Sequence, residues 1–317
     1  MAERPSKPRA VTCGEVLIAT LPVEPVPIDA GEPLRMYVGG AEANFAVGLC
    51  RLGLDASLVG RLSSDPLGRF ATVTLEGDGV DLSKMREDDG PSGLYLREWL
   101  ADGMRRPLYY RRDSAGSHFG PDDWPANLDN IDWLHVTGIT AALSESCRAG
   151  LTTALSWARE HSVRVSFDPN YRSQLWSPEA ARASLLAIVA SCHTLLLGTS
   201  EGELLFGTDD PRSIGERAGS LGVQDVAIKR GDRGASAWSG GEMWHHEPFE
   251  VRAVDPVGAG DAFDAGFVAC RLESGSLQDA LALGTYCGAK VAELPGEHEG
   301  FPRLAELPSH LARTLGN

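Results

Sequence analysis

Basic residues are scarce in this 317-residue chain: 29 Lys and Arg stand against 44 Asp and Glu, a formal charge of −15. A field of that sign repels polyanions, so general nucleic-acid binding and attachment to an anionic membrane are disfavoured. A small anion is a separate case, because a helix N-terminus or a few placed arginines act locally. Apolar runs are short too. The greasiest, Leu185–Ala190 and Leu195–Leu197, fall far below the roughly 20 residues that span a bilayer. Arg4, Lys7 and Arg9 lead into no long apolar stretch, so neither secretion nor membrane anchoring is expected. The six cysteines (Cys13, Cys50, Cys147, Cys192, Cys270, Cys287) include no CxxC pair, and the expectation is a reducing, cytoplasmic setting. His245-His246 lacks the further ligand spacing of a zinc site. No GxSxG elbow, HExxH pair or Walker loop occurs, which weighs against a hydrolase, a zincin and a P-loop ATPase.

What remains is ordinary globular composition, 43% hydrophobic and 23% charged, which excludes a disordered or fibrous chain. The length suits two domains, or one large α/β domain with an appendage.

From Val11 to Leu21 the chain reads as a buried strand centred on Val16-Leu17-Ile18, followed by a proline-rich excursion and then apolar residues at helical spacing from Ala43 to Leu52, with Gly53 as the stop. Between 93 and 112, two runs flank Ala101-Asp102-Gly103, a hairpin turn signal. Tyr95, Arg97 and Trp99 share one face there, joined by Tyr109 and Arg111. Polar and aromatic residues on both faces suit a small β appendage leaning over something polar, or an edge hairpin with no role. From Ile131 onward short strands alternate with helices: Trp133–Val136 then 149–161, Val163–Phe167 then Pro178–Ala190, Thr194–Leu197 then Glu201–Phe206, Val226–Lys229 then a strand pair through Ala235–Trp244, and finally helices Ala262–Leu272 and Leu277–Leu294. That alternation predicts a mainly parallel sheet with helices on both faces, and ligands in such sheets sit beyond the carboxyl ends of the strands.

Two segments point to chemistry. Asp255-Pro256-Val257-Gly258-Ala259-Gly260-Asp261 runs directly into an apolar helix. Small residues at 258–260 let the backbone approach a ligand, and the helix's first turn leaves N–H groups unpaired beside a partial positive charge. Such a pocket suits a transferring phosphoryl group, whose charge spreads over its oxygens. Asp261 within it fits a general base taking a proton from an attacking hydroxyl, against the plainer alternative of a helix cap. The second segment, Gly39-Gly40-Ala41-Glu42-Ala43-Asn44, opens the first helix. Its glycines let a polyhydroxylated ligand touch the main chain, and Asn44 offers donors and an acceptor to hydroxyls.

Gly39–Ala46 with Leu52-Gly53, and Asp255–Ala265, resemble the N- and C-terminal signatures of the PfkB (ribokinase-like) carbohydrate kinases, and the resemblance extends from about Cys13 to Gly300. Within that family the chain is most similar to the 2-keto-3-deoxygluconate kinases, through residues 93–98, 109–111, 114–117, 168–172 and 297–300. The resemblance implies one ribokinase-like α/β kinase domain over 1–317, with a small β-sheet lid from about 15–40 and 91–113. It implies ATP and Mg2+ as cofactors and a sugar acid as substrate. Carried over residue by residue, Asp261 is the base beside Gly258, Ala259 and Gly260. The sugar acid meets Gly39, Gly40, Ala41, Asn44, Tyr95, Tyr109, Arg111, Arg172 and Asp261 itself. The nucleotide meets Asn170, Arg172, Ser200, Lys229, Gly231, Gly234, Gly258, Ala259, Gly260, Thr285 and Gly288. Arg172 is open to either ligand, and Tyr95 and Tyr109 to plain lid packing. A carboxylate substrate needs a cation, which a guanidinium beside a phenol supplies. Glu203, with Glu201, resembles an acidic segment that positions magnesium through water, although solvated helix charge looks the same. The chain departs from relatives at Thr285, where Asn is common, at Glu297, where Asp is, and at Pro256, where the wider family has Thr. The family also implies a homo-oligomer paired through the lid.

Overall fold

A computed structural model of the chain describes residues 9–24, 26–28, 31–100 and 105–316. Among these, nine strands form one sheet in the spatial order Glu242–His246, Ala235–Ser239, Asp225–Lys229, Thr194–Gly198, Arg164–Asp168, Trp133–Thr137, Arg9–Cys13, Asp55–Ser63 and Asp81–Asp88. Pairing is parallel from Asp225–Lys229 through to Asp81–Asp88, and the hairpin at the opposite edge adds antiparallel. Parallel strands covered on both faces are buried throughout, as Trp133–Thr137 is. From the strand Arg9–Cys13 the chain builds outward through Asp55–Ser63 to one edge, then returns to Trp133–Thr137 on the other side. The reversal leaves a crevice beyond the carboxyl ends of those two central strands, the usual ligand position in open α/β sheets.

A second sheet of four strands runs Leu34–Gly39, Leu17–Pro22, Gly93–Trp99, Arg105–Tyr110. Its inner pair is parallel and its flanking pairs antiparallel. Tyr95 lies opposite Tyr109, as the alternation predicts. The turn Ala101-Asp102-Gly103 lies outside the described residues.

The single strand expected over Val11–Leu21 is two. Arg9–Cys13 belongs to the large sheet and Leu17–Pro22 to the small one, with Gly14-Glu15-Val16 crossing between them. Both halves are apolar because each is buried in its own sheet, so hydropathy alone runs them together. The unit Asp55–Ser63, Pro66–Gly77, Asp81–Asp88 and the helix Pro211–Ser220 add to the elements read from the sequence. Among the described residues no helix is long and apolar enough to cross a membrane.

Candidate active site

A cavity of about 810 Å³ opens where the strand ends of the large sheet face the small one. The large sheet supplies Asp168, Gly198 and Lys229, the last residues of their strands. The small sheet supplies Tyr95, Arg97, Tyr109 and the adjoining Arg111. The two helix-opening segments meet there, Gly40-Ala41 and Asn44 on one wall, Gly258, Gly260 and Asp261 on another.

The helix Ala259–Leu272 begins at Gly258, whose φ is 79°, and no side chain caps it. The Ala259 N–H turns back to the Pro256 carbonyl at 3.2 Å, and the N–H groups of Gly260 and Asp261, with the positive dipole end, are left open at the cavity. A Cβ on Gly258 would lie 1.8 Å from the Glu297 carbonyl oxygen. Only glycine fits. On the opposite wall Gly40, at φ 117°, would place a Cβ 2.4 Å from the Glu15 carbonyl oxygen. Glu297 also reaches the glycine pair, its Oε2 2.8 Å from where a Gly39 Cβ would sit, so one residue stands against both segments.

Asp261 accepts from Asn44 Nδ2 at 2.8 Å and from Asn170 Nδ2 at 3.3 Å. Burial pushes its carboxyl up to about 6; the Asn44 hydrogen bond opposes that rise and the Asp168 charge adds to it. Asn44 is itself oriented, because its Oδ1 lies 3.2 Å from His298 Nδ1, which leaves the amide nitrogen for the acceptor-only carboxylate. Nothing in the sequence ties His298 to Asn44, 254 residues away.

Most cations in the cavity are already matched. Lys229 donates to Asp168 at 2.9 Å and to both oxygens of Asp264 at 3.0 and 3.2 Å, which holds its pKa far above the ordinary lysine value against the effect of burial. Arg97 bonds Asp255, Glu297, Gly296 and Tyr95. Arg111 donates one bond, 2.5 Å to Glu15, and stacks over Tyr109 with its guanidinium carbon 4.2 Å from the ring centroid. Its Nε and Nη2 are buried with no partner among the described residues. Arg172 is exposed, with one bond of 3.4 Å to the Tyr171 carbonyl.

Of the residues singled out from the sequence, Gly40, Ala41, Asn44, Tyr95, Tyr109, Arg111, Asn170, Arg172, Ser200, Lys229, Gly258, Gly260 and Asp261 line this cavity. Gly39 and Ala259 sit one residue behind its wall. Gly231 and Gly234 shape the turn after Lys229. Thr285 and Gly288 lie on the helix Leu277–Val291, Thr285 buried with an unpartnered hydroxyl and Gly288 packed against the Ala259 carbonyl. Glu203 is exposed outside the cavity while Glu201 lines it, since two residues on a helix stand about 200° apart. Glu15, Arg97, Asp168 and Asp255 have no site role in the sequence reading, yet all line the cavity. Among the described residues no cluster of three or more His, Cys, Asp or Glu forms a metal cage. Glu201 and Asp168 both face the cavity, with Glu201 accepting from Gly198 N at 2.7 Å and Tyr171 N at 2.8 Å. That donor set fits a hard cation that arrives on phosphates and keeps its waters.

A profile of the pfkB family carbohydrate kinases matches residues 8–303. A 2-dehydro-3-deoxygluconokinase of Thermoproteus tenax is 35% identical over 302 residues, covering 93% of this chain and 92% of the relative. One of Bacillus subtilis (strain 168) is 34% identical over 280 residues, covering 87% and 86%. Among solved structures, a ribokinase-like protein of Escherichia coli in complex with ATP and Mg2+ superposes with a TM-score of 0.87 at 25% identity, over 98% of this chain and 99% of that one.

Proposed function

The chain belongs to the pfkB family of carbohydrate kinases, phosphotransferases with an alcohol acceptor, and from that premise we propose that it uses ATP and magnesium to phosphorylate the terminal primary hydroxyl of 2-keto-3-deoxygluconate. The product is the 6-phospho acid. The observation behind this reading is one continuous cavity that joins Asn44 and Gly40 to Asp261 and Gly258 and contains, in Arg111, two buried N–H donors still lacking an acceptor.

In the reaction the hydroxyl oxygen forms a bond to the γ-phosphorus, the bond from phosphorus to the β-bridging oxygen breaks with its electrons going to ADP, and the hydroxyl proton passes to Asp261. The N–H groups of Gly258, Gly260 and Asp261 hold the migrating phosphoryl oxygens. Glu201 and Asp168 would hold magnesium, which would supply neutralisation of charge on the nucleotide oxygens. Lys229 fixes Asp168 and, through Asp264, the first turns of the helix that bears Asp261. Gly258–Gly260, Asn170, Arg172, Ser200, Gly231, Gly234, Thr285 and Gly288 would hold the nucleotide. The four-stranded sheet acts as a lid within a single kinase domain and excludes water that would otherwise accept the phosphoryl group.

The substrate carboxylate takes the open N–H groups of Arg111, with Arg172 near the mouth as a second cation. Losing a charge-assisted hydrogen bond costs about 1.5–3 kcal/mol. Arg111→Met is therefore expected to raise KM for 2-keto-3-deoxygluconate about 10- to 100-fold, with a much smaller effect on any neutral sugar. A panel of 2-keto-3-deoxy acids, fructose and ribose assayed with ATP and magnesium tests both points. A neutral hexose matching the keto acid in kcat/KM would replace this reading with a fructokinase-type one.

The outer lid strand Leu34–Gly39 exposes Leu34 and Met36, apolar surface that supports pairing with the lid of a second copy. Light scattering is expected to give a dimer mass, and Met36→Glu a monomer; a wild-type monomer at micromolar concentration removes the pairing.

A further inference from the structure

We propose that Arg97 is a positioning residue that makes assembly of the phosphoryl pocket depend on the lid's grip on the sugar. The inference rests on the kinase chemistry and not on which sugar is the substrate. Arg97 stands on the lid strand Gly93–Trp99, two residues from Tyr95 and on the same face. Its side chain is only 4% exposed. Nη1 donates to the Asp255 carboxylate. Nη2 donates to Glu297 Oε1 at 2.7 Å, the Gly296 carbonyl at 3.0 Å and the Tyr95 hydroxyl at 3.0 Å.

Both partners on the core side shape the pocket. Asp255 opens the turn that ends at Gly258, and its carboxylate accepts from Val257 N at 3.3 Å. Glu297 presses its carbonyl oxygen against Gly258. One guanidinium therefore holds the two loops that place the helix N-terminus, while its own backbone belongs to the sheet that presents Tyr95 and Tyr109 to the sugar. Asp255 and Glu297 are almost wholly buried, and a buried carboxylate that loses a bonded guanidinium is destabilised. Withdrawal of the lid strand removes that cation from both loops at once. Sugar bound under the lid and phosphate bound at Gly258 are then linked through a single side chain, and such a coupling is reciprocal.

The test is a binding cycle. Wild type, Arg97→Met and Arg97→Lys are titrated by calorimetry with 2-keto-3-deoxygluconate and with Mg2+ and the non-hydrolysable ATP analogue AMP-PNP, each alone and at saturation of the other. In wild type each ligand is expected to tighten the other by the same factor, about fivefold or more. In Arg97→Met that factor is expected to fall below about twofold, whatever the change in each separate Kd. Lysine keeps the charge but lacks the planar fork, so Arg97→Lys is expected to fall between. A mere structural ion pair would lower Tm in the variants and leave the factor unchanged. Arg97→Met with the wild-type factor overturns the proposal, as does wild type binding the two ligands independently. Should the Met variant not fold, a wild-type factor in Arg97→Lys overturns it equally. Failure of the substrate reading is visible separately, in wild type failing to turn over 2-keto-3-deoxygluconate; the cycle is then run with the panel sugar that wild type does phosphorylate.

Discussion

Asp261→Asn is expected to lower kcat by about 10³-fold, within the range general bases contribute, while KM for sugar and nucleotide changes little. The amide is isosteric and keeps an oxygen for Asn44 or Asn170 to donate to, but it cannot take up the hydroxyl proton. The pH profile supplies a second readout. Burial pushes Asp261 up to about 6, and a base works only when ionised. Log kcat/KM for wild type is therefore expected to rise with unit slope up to about pH 6 and then level off. Glu297, pushed up to about 7 chiefly by burial with Arg97 opposing, titrates in the same cavity, so the limb is assigned in Glu297→Gln: a limb that persists there belongs to Asp261. Near-normal turnover of Asp261→Asn would remove the base assignment.

The parts of this site that were legible in sequence are those whose chemistry is local. Gly258-Ala259-Gly260-Asp261 signals a helix N-terminus open to an anion because small residues and the helix start are adjacent in the chain, and Gly40 with Asn44 lies within one helical turn. The strand–helix alternation after Ile131 is likewise local, and it predicts the carboxyl-end position of the cavity. The ion pairs are not local. Arg97 reads in sequence as one more residue on the Tyr95 face of a hairpin, while its partners lie 158 and 200 residues away. Lys229 ends a strand before a glycine turn, which reads as a nucleotide contact. Its ammonium nevertheless points to Asp168, at the end of a strand two places away in the sheet, and to Asp264, on the helix behind. The strand Asp81–Asp88 was unreadable for another reason. It lies at the sheet edge with charges on both faces, so it shows no alternation.

Gly258→Ala is expected to abolish most activity, lowering kcat about 100-fold or more, and to lower Tm by several degrees. Two costs act together. A non-glycine residue at φ 79° carries about 1–2 kcal/mol of backbone strain, and the new methyl falls 1.8 Å from the Glu297 carbonyl oxygen, closer than any contact allows. The strain alone can be measured at Gly222, where φ is 101° and no atom lies within 4 Å of the place a methyl would occupy; Gly222→Ala is expected to lower Tm and spare kcat. The clash has two resolutions. If the 296–298 loop retreats, Glu297 leaves Arg97 and Tyr95, and His298 leaves Asn44, so the amide that orients Asp261 loses its own support. If the helix end shifts instead, the N–H groups move off the migrating phosphoryl oxygens. Either movement lowers transition-state stabilisation more than ground-state binding, so kcat is expected to fall further than KM rises. Steady-state kinetics with both substrates varied measures this split, and Gly258→Ala with kcat within about threefold of wild type would place phosphoryl transfer somewhere other than this helix N-terminus.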